Sequence, residues 1–285
     1  GGNVSFPSNN SLVQGASSLF GIRTDMQFGK LKLQTVLSQK KSSNKSVSSK
    51  GGKQLTPFEI SAADYEENRH FFLAHTFRSR YDDAMKTLPN LTTGITINRV
   101  EIWVTNKTGT TTNTRNIVAL SDLGESSKIS RTDLWGSGTG NTPSNNANTE
   151  YSTIAQGYPQ ARNMDQTNTV LDGLGLVGGT DYEKLSSARL LNSSEYTVNQ
   201  ALGYVSLRTG LQTDQVLAIA YEYTSGGVTH QVGEFSSDRT DVSEALFVKS
   251  LKNTSNNPKQ ANWDLMMIHI AVYLPIQQVK PVAQR

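Results

Sequence analysis

The chain has 285 residues with 27 basic and 24 acidic side chains, a formal net charge of +3 and no cysteine. Disulfides, thiolate-ligated zinc and thiol catalysis are therefore excluded, and the basic residues form no aromatic-interleaved stripe of the kind that binds nucleic acid. A hydrophobic fraction of 35% is low for a compact enzyme, and no run of about 18 apolar residues offers a transmembrane helix, although barrel strands need only every second residue apolar.

Between residues 19 and 37 the apolar residues recur with period two. Phe20, Ile22, Met26 and Phe28 share one face; after Gly29 the face passes to Leu31, Leu33 and Leu37, with Arg23, Asp25, Gln27, Lys30, Lys32 and Gln34 opposite. Two such runs around a glycine-containing turn fit a hairpin of an outer-membrane barrel, whose strands need about 9–11 residues to cross. Lipid would then meet Phe20, Ile22, Met26 and Phe28. The same alternation fits an ordinary half-buried hairpin on a soluble sheet. Residues 38–56 scatter Lys40, Lys41, Lys45, Lys50 and Lys53 among serines and glycines with no apolar face beside them, which reads as a solvated loop.

Ser61 with Asp64 three residues on, a staple of Ile60 and Tyr65, and Pro89 as a stop predict one long helix over 61–88. Its stripe is Leu73, Phe77, Tyr81, Ala84 and Leu88. Ile95 and Ile97 lie on one strand face and Val100, Ile102 and Val104 on the other, so a bulge is expected near Asn98. A strand over 117–120 follows a Thr/Asn-rich hairpin loop. Residues 136–149 are so rich in Gly, Ser, Asn and Thr that no fixed structure is assigned. Strands at 196–198, 204–207, 216–224 and 228–235, the last two joined at Gly226-Gly227, read as a meander. A final strand runs over 263–273 before Pro275, and its pairing partner is expected outside this sequence. The start at Gly1-Gly2, without Met or signal peptide, reads as a piece of a longer polypeptide.

The fold class is thus mainly β with one long helix (α+β), built of antiparallel strands and a meander. Three parts are expected: a barrel-wall-like hairpin and Lys/Ser loop over 1–56, an α+β module over 57–262, and a C-terminal strand and cut end over 263–285.

The motifs that resemble chemistry mostly dissolve. Gly173-Leu174-Gly175-Leu176-Val177-Gly178 matches the dinucleotide spacing, but Asp165 can start a short helix through Val170, Leu171 and Leu174, which places the glycines after a helix rather than before one. Glu67 and His70 have the three-residue spacing of di-iron bundles, without the second such helix or the further glutamates. His75 is five residues from His70 and gives no zinc pattern, and His230 and His269 lie in strand-like runs with no evident nucleophile. Trp103, Trp135 and Trp263 read as packing residues or interfacial anchors. No catalytic, cofactor-binding or metal-binding residue is assigned.

Residues 10–33, the run Tyr65-Glu66-Glu67-Asn68-Arg69-His70-Phe71-Phe72-Leu73-Ala74-His75, and Val100-Glu101-Ile102-Trp103-Val104-Thr105-Asn106 carry a likeness that continues through residues 218–223, 232–236 and 263–267. In these stretches the chain resembles the SprA/Sov family of gliding-motility and type IX secretion proteins of Bacteroidetes. The likeness fades over 106–114 and 136–150 and after Met267. It implies a very large outer-membrane β-barrel that conducts folded cargo out of the cell, with no catalytic residue to transfer. The implied partners are the remainder of the barrel chain, a plug protein, a PorV-type shuttle protein and secreted cargo with a C-terminal sorting domain. On this reading the chain is a non-catalytic structural fragment of an export translocon in the outer membrane or cell envelope. The alternative is a soluble surface or periplasmic module that binds protein or glycan ligands.

Overall fold

The computed structural model describes residues 2–4, 19–28, 31–38, 68–87, 91, 93–126, 128–136, 142–255 and 257–267. The chain divides into two compact units, Gly1–Pro57 and Phe58–Arg285.

The first unit holds an antiparallel sheet in the order β1 (Gly2–Val4), β2 (Leu19–Phe28) and β3 (Leu31–Ser38). The β2–β3 register sets Ile22 opposite Leu37, Met26 opposite Leu33 and Phe28 opposite Leu31. The two alternating rows therefore fall on common register positions, as expected if the change of phase marks the hairpin turn. The strands are 10 and 8 residues long.

The second unit departs from the expected long helix. Residues 61–67 and Leu88 lie outside the described residues, and Asn68 has a φ of +58°, which a right-handed helix cannot accommodate. His70–Phe72 is instead a strand, β4, and the helix α1 spans only His75–Lys86, 12 residues. The physical cause is burial: Phe71, Leu73 and Ala74 are 0% exposed, so this run is buried on every side and its apparent helical spacing carries no face. Within α1, Phe77 and Ala84 are buried and Tyr81 packs on the core, as the stripe required.

The main body is a ring. Its strands are β5 (Ile95–Val104), β6 (Thr114–Leu120), β7 (Tyr182–Leu190), β10 (Leu217–Ser225) and β12 (Leu246–Lys252). Between β7 and β10 in sequence come β8 (Tyr196–Asn199) and β9 (Tyr204–Leu207), and between β10 and β12 comes β11 (Val228–Val232). Antiparallel pairing joins β5 to β10, β10 to β12 and β6 to β7, while β12 and β6 run parallel. Trp103 opposite Leu190 and Val104 opposite Arg189 close β5 onto β7. One face of the ring packs Trp103, Ile117, Ala119, Ala188, Ala218, Ala220, Leu246 and Val248 into a separate cluster. Its alanines suit the narrow lumen of a five-stranded ring. The outer face, through residues such as Ile102, Val118, Ile219, Tyr221 and Phe247, joins the larger core with Phe71, Phe77, Ile154 and Leu171.

Two local expectations hold. The β5–β10 register passes from Arg99 opposite Glu222 to Ile97 opposite Tyr223, leaving Asn98 as the bulged residue. Gly226 and Gly227, with φ of +58° and +80°, form the two-residue turn between β10 and β11. The meander itself is corrected: β9 pairs with β8 on one side and β4 on the other in a separate three-stranded sheet, and only β10, with β11 along its edge, belongs to the ring sheet. The loop from β9 to β10 is tied to the residues before β4 by Leu211, whose N–H donates to the Asn68 carbonyl at 2.9 Å.

Further differences lie in the connections. Where a strand was expected from 263, Ala261–Leu265 is a 3-10 helix and Met266 bridges to Phe71, with residues 268–273 outside the described set. Part of the 136–149 stretch is firmly held: the Tyr223 hydroxyl donates to the Pro143 carbonyl at 2.8 Å, and the Gly233 N–H donates to Asn145 Oδ1 at 2.7 Å. Residues 137–141 lie outside the described set. After β6 the chain forms a short helix α2 (Glu150–Ser152), a π turn (Thr153–Gly157) and a further helix α3 (Thr167–Gly173) on the outer face.

Candidate functional site

The chemistry-bearing side chains gather in two buried ionic groups on the outer face of the ring. In the first, Lys249 sits mid-strand in β12 with an exposure of 0%; its ammonium donates to Glu125 Oε1 at 2.7 Å and to the Leu123 carbonyl at 2.9 Å. The Glu125 carboxylate also accepts the His75 N–H at 3.1 Å, the first amide of α1. Ala74 supplies no side-chain cap to that helix, so a carboxylate from a distant turn fills the role and meets the positive end of the helix dipole. Asn148 donates to the carbonyls of Asp122 at 2.7 Å and Glu125 at 2.8 Å, and its own oxygen accepts the Glu150 N–H at 2.8 Å. Asp122 in turn accepts the N–H groups of Ser130 at 2.6 Å and Arg131 at 2.9 Å.

This group is only partly satisfied. Glu150 is 1% exposed, and neither its Oε2 nor His75 Nδ1 has a hydrogen-bond partner among the described residues. Burial pushes Glu150 well above the usual carboxylate range, with the nearby Asp122 adding to the effect. Burial also raises Glu125, against the opposing pull of Lys249. Burial and then Lys249 lower His75 to about 3, so its ring is neutral at physiological pH.

The second group is complete. Glu234, just beyond β11, accepts Arg162 through both oxygens at 2.6 and 2.7 Å, the Tyr151 hydroxyl at 2.7 Å and the Phe247 N–H at 2.9 Å. Arg162 also donates to the Ala245 carbonyl at 2.9 Å, and its guanidinium lies 4.0 Å from the centre of the Phe247 ring. A planar fork bound to two carboxylate oxygens and stacked on an aromatic face is the arrangement that best compensates a buried charge. Burial, followed by the Glu234 charge, pushes the Tyr151 hydroxyl up to about 12. Closer to the surface, Glu101 of β5 accepts Arg99 at 2.8 Å, the Ser236 N–H at 2.7 Å and the Ser236 hydroxyl at 2.9 Å.

Asp122, Glu125, Glu101 and Glu234 accept backbone amides, and Glu125 and Glu234 also bind cations from other segments. They fasten α1, the 121–136 and 142–150 stretches and the 233–236 turn to the ring. None of His75, Asp122, Glu125, Asn148, Glu150 or Lys249 is more than 6% exposed. A polar cleft of about 410 Å³, lined by residues including Gln160, Asn163, Gln166 and Ser243, has Arg162 as its only member from the two buried groups.

The residues singled out in the sequence fall elsewhere. The glycine run ends α3: Gly175, at φ +85°, donates to the Asp172 carbonyl at 2.9 Å, and Leu176 donates to Leu171 at 3.1 Å. This is a Schellman cap, and it places the glycines at the carbonyl end of a helix, where no amides face a phosphate. The helix begins at Thr167 after Gln166, and Asp165 contributes no side-chain cap. His70 Nδ1 lies 2.7 Å from the Ser206 hydroxyl across β4 and β9, while Glu67 and His269 are outside the described residues. His230 leans on the Tyr223 ring at 5.2 Å. Trp103 packs in the ring lumen, Trp135 is in the main core and Trp263 packs against it. Among the described residues no cluster of three or more His, Asp or Glu is arranged to hold a metal. No helix among them is long and apolar enough to cross a membrane.

Sequence reasoning missed Lys249, Glu125, Arg162 and Glu234. A signal existed for Lys249, a lone charge inside the apolar run Leu246-Phe247-Val248-Lys249-Ser250-Leu251; a buried charge requires a partner, though its identity is not local.

Comparison with known proteins gives one family. A family model described as motility related/secretion protein matches residues 2–222, well over half of the chain. No curated protein matches.

Proposed function

Because the chain belongs to this SprA_N family of motility-related and secretion proteins, we propose that it is a non-catalytic structural part of an outer-membrane translocon that exports folded proteins in type IX secretion and gliding motility. The observation that carries the reading is the family match, which runs through both units from residue 2 to residue 222. Two features support it. The β2–β3 register brings the alternating rows of a wall-like hairpin together at Ile22–Leu37, Met26–Leu33 and Phe28–Leu31. The buried ion pairs Lys249–Glu125 and Arg162–Glu234 of the second unit fasten segments to the ring. The partners on this reading are the remainder of the barrel chain, a plug protein, a PorV-type shuttle and cargo with a C-terminal sorting domain, all in the cell envelope.

The test is Ile22→Asp with Met26→Asp in the full-length protein in its native cell. A Lys or Arg placed on a lipid face costs about 2–4 kcal/mol near the bilayer midplane and an Asp less, so two aspartates are placed on the same row. The expected result is loss of the protein from the outer-membrane fraction together with loss of cargo secretion and surface spreading. Normal membrane fractionation and normal secretion overturn the wall assignment. A second reading, a soluble envelope module that binds protein or glycan, is favoured by the polar cleft of about 410 Å³. It predicts full amide protection of residues 19–37 in plain buffer, whereas the wall reading predicts protection only in micelles.

A further inference from the structure

A second cleft, of about 320 Å³, opens where the ring meets the β4-β9-β8 sheet. Its lining includes Val104 of β5, Leu191, Leu207 and Leu211, the first three 2%, 8% and 3% exposed. Its charged members are Arg189, Glu195 and Arg208, and the first two satisfy each other: the Arg189 guanidinium donates to both Glu195 oxygens at 3.0 and 2.9 Å. Arg208 is exposed and has no ion-pair or side-chain hydrogen-bond partner among the described residues. The cleft thus carries two guanidiniums against one carboxylate beside an apolar lining.

The walls are preorganised. Glu195 also accepts the Asn192 N–H at 2.9 Å and so fixes the turn that leads into β8. On the other side, Arg208 donates its N–H to the Glu195 carbonyl at 2.9 Å, Leu207 donates to Arg69 at 2.8 Å and Leu211 to Asn68 at 2.9 Å. The Arg208–Leu211 loop is therefore tied at both ends, and a ligand need not order it.

We propose that this cleft captures the C-terminus of a partner polypeptide that ends in an apolar residue, with the terminal carboxylate on Arg208 and the last side chain against Leu191, Leu207 and Leu211. The occupant follows from charge and size. An unpaired guanidinium matches a carboxylate in fork geometry, and an apolar lining next to it asks for an apolar group on the same residue. A chain terminus with an apolar last residue bears both on one residue, and a volume at the low end of ligand pockets suits a chain end. The assignment goes beyond the export reading and does not depend on it, since it is tested on purified protein without membranes.

The experiment is fluorescence polarisation with the 285-residue chain and a labelled hexapeptide ending in leucine, prepared with a free carboxylate and as the C-terminal amide. The free acid is expected to bind at least about tenfold more tightly than the amide, and Arg208→Glu to lose at least about tenfold for the acid alone. Because Arg208 is exposed, this variant folds normally, which circular dichroism checks, and acid binding weakens as salt is added. Equal binding of acid and amide, unchanged binding by the Arg208→Glu variant, or decanoate competing as well as the unlabelled peptide each overturns the proposal. Failure here leaves the hairpin test of the export reading untouched.

Discussion

The Arg162–Glu234 and Lys249–Glu125 groups occupy the same outer face of one ring, and both are almost fully buried, with ion-pair side-chain exposures of 4%/4% and 0%/3%. They differ in completeness. Glu234 receives four donors and its cation is stacked on Phe247, whereas the Lys249 group leaves Glu150 Oε2 and His75 Nδ1 unpartnered among the described residues. Desolvation of a charge is offset only when its remaining lone pairs and protons are also satisfied. The first group should therefore behave as a rigid staple, and the second as one in which burial moves Glu125 and Glu150 up and His75 down from their ordinary values.

Removing Glu234 should have the largest effect, because Arg162 cannot shed its charge. Glu234→Ala is expected to cost about 3–5 kcal/mol, read as a lower urea midpoint at unchanged slope. Lys249→Met should cost less, about 2–3 kcal/mol, since Glu125 is already shifted towards its neutral form and can take up a proton. Adding Glu125→Leu should recover part of that loss and leave chiefly the missing cap on α1, about 1 kcal/mol. A double variant no more stable than Lys249→Met would show that the pair does not act as a unit.

His75 sharpens the comparison through pH. It is neutral in the fold, lowered to about 3 from an ordinary 6.5, so the unfolded chain binds its proton first as the medium is acidified. Stability from this source is full above pH 6.5 and is lost as pH falls towards 3. Denaturation midpoints across that window should fall in the native chain and fall less steeply in His75→Gln.

Glu150 should give the smallest effect, with the opposite sign. Its raised pKa means that, as pH rises above 4.5, the unfolded chain releases the proton before the native state does, which lowers stability there. Replacing it with methionine, of similar length, is expected to stabilise the protein by roughly 1 kcal/mol at pH 7. The gain should shrink as pH falls towards 4.5, the ordinary value for this group. A loss of stability at pH 7 would mean that Glu150 has a polar partner that the geometry does not show.

The sequence was a good guide wherever the governing physics acts within a few residues. The change of apolar phase located the bulge at Asn98, two adjacent glycines located the β10–β11 turn, and Gly175 fell where a left-handed helix end belongs. The same local logic misread His70-Phe71-Phe72-Leu73-Ala74, because a run buried on all sides shows three- and four-residue spacing by default. It overlooked β12 for the related reason that Lys249 and Ser250 interrupt the apolar pattern while both are 0% exposed.

By itself, then, the sequence determined the β character of the chain, its glycine turns and the glycine end of α3, and the family likeness, since period and positive φ depend on neighbouring residues. The tertiary structure decided which strands pair: that β8 and β9 leave the meander for β4, that β6 runs parallel to β12, and that β5 closes onto β7. It also decided which charges meet. Lys249 finds Glu125 across 124 positions of chain, and Arg162 finds Glu234 across 72. Such partners are selected by the cost of leaving a buried charge alone, a cost that arises only once the ring has closed over it.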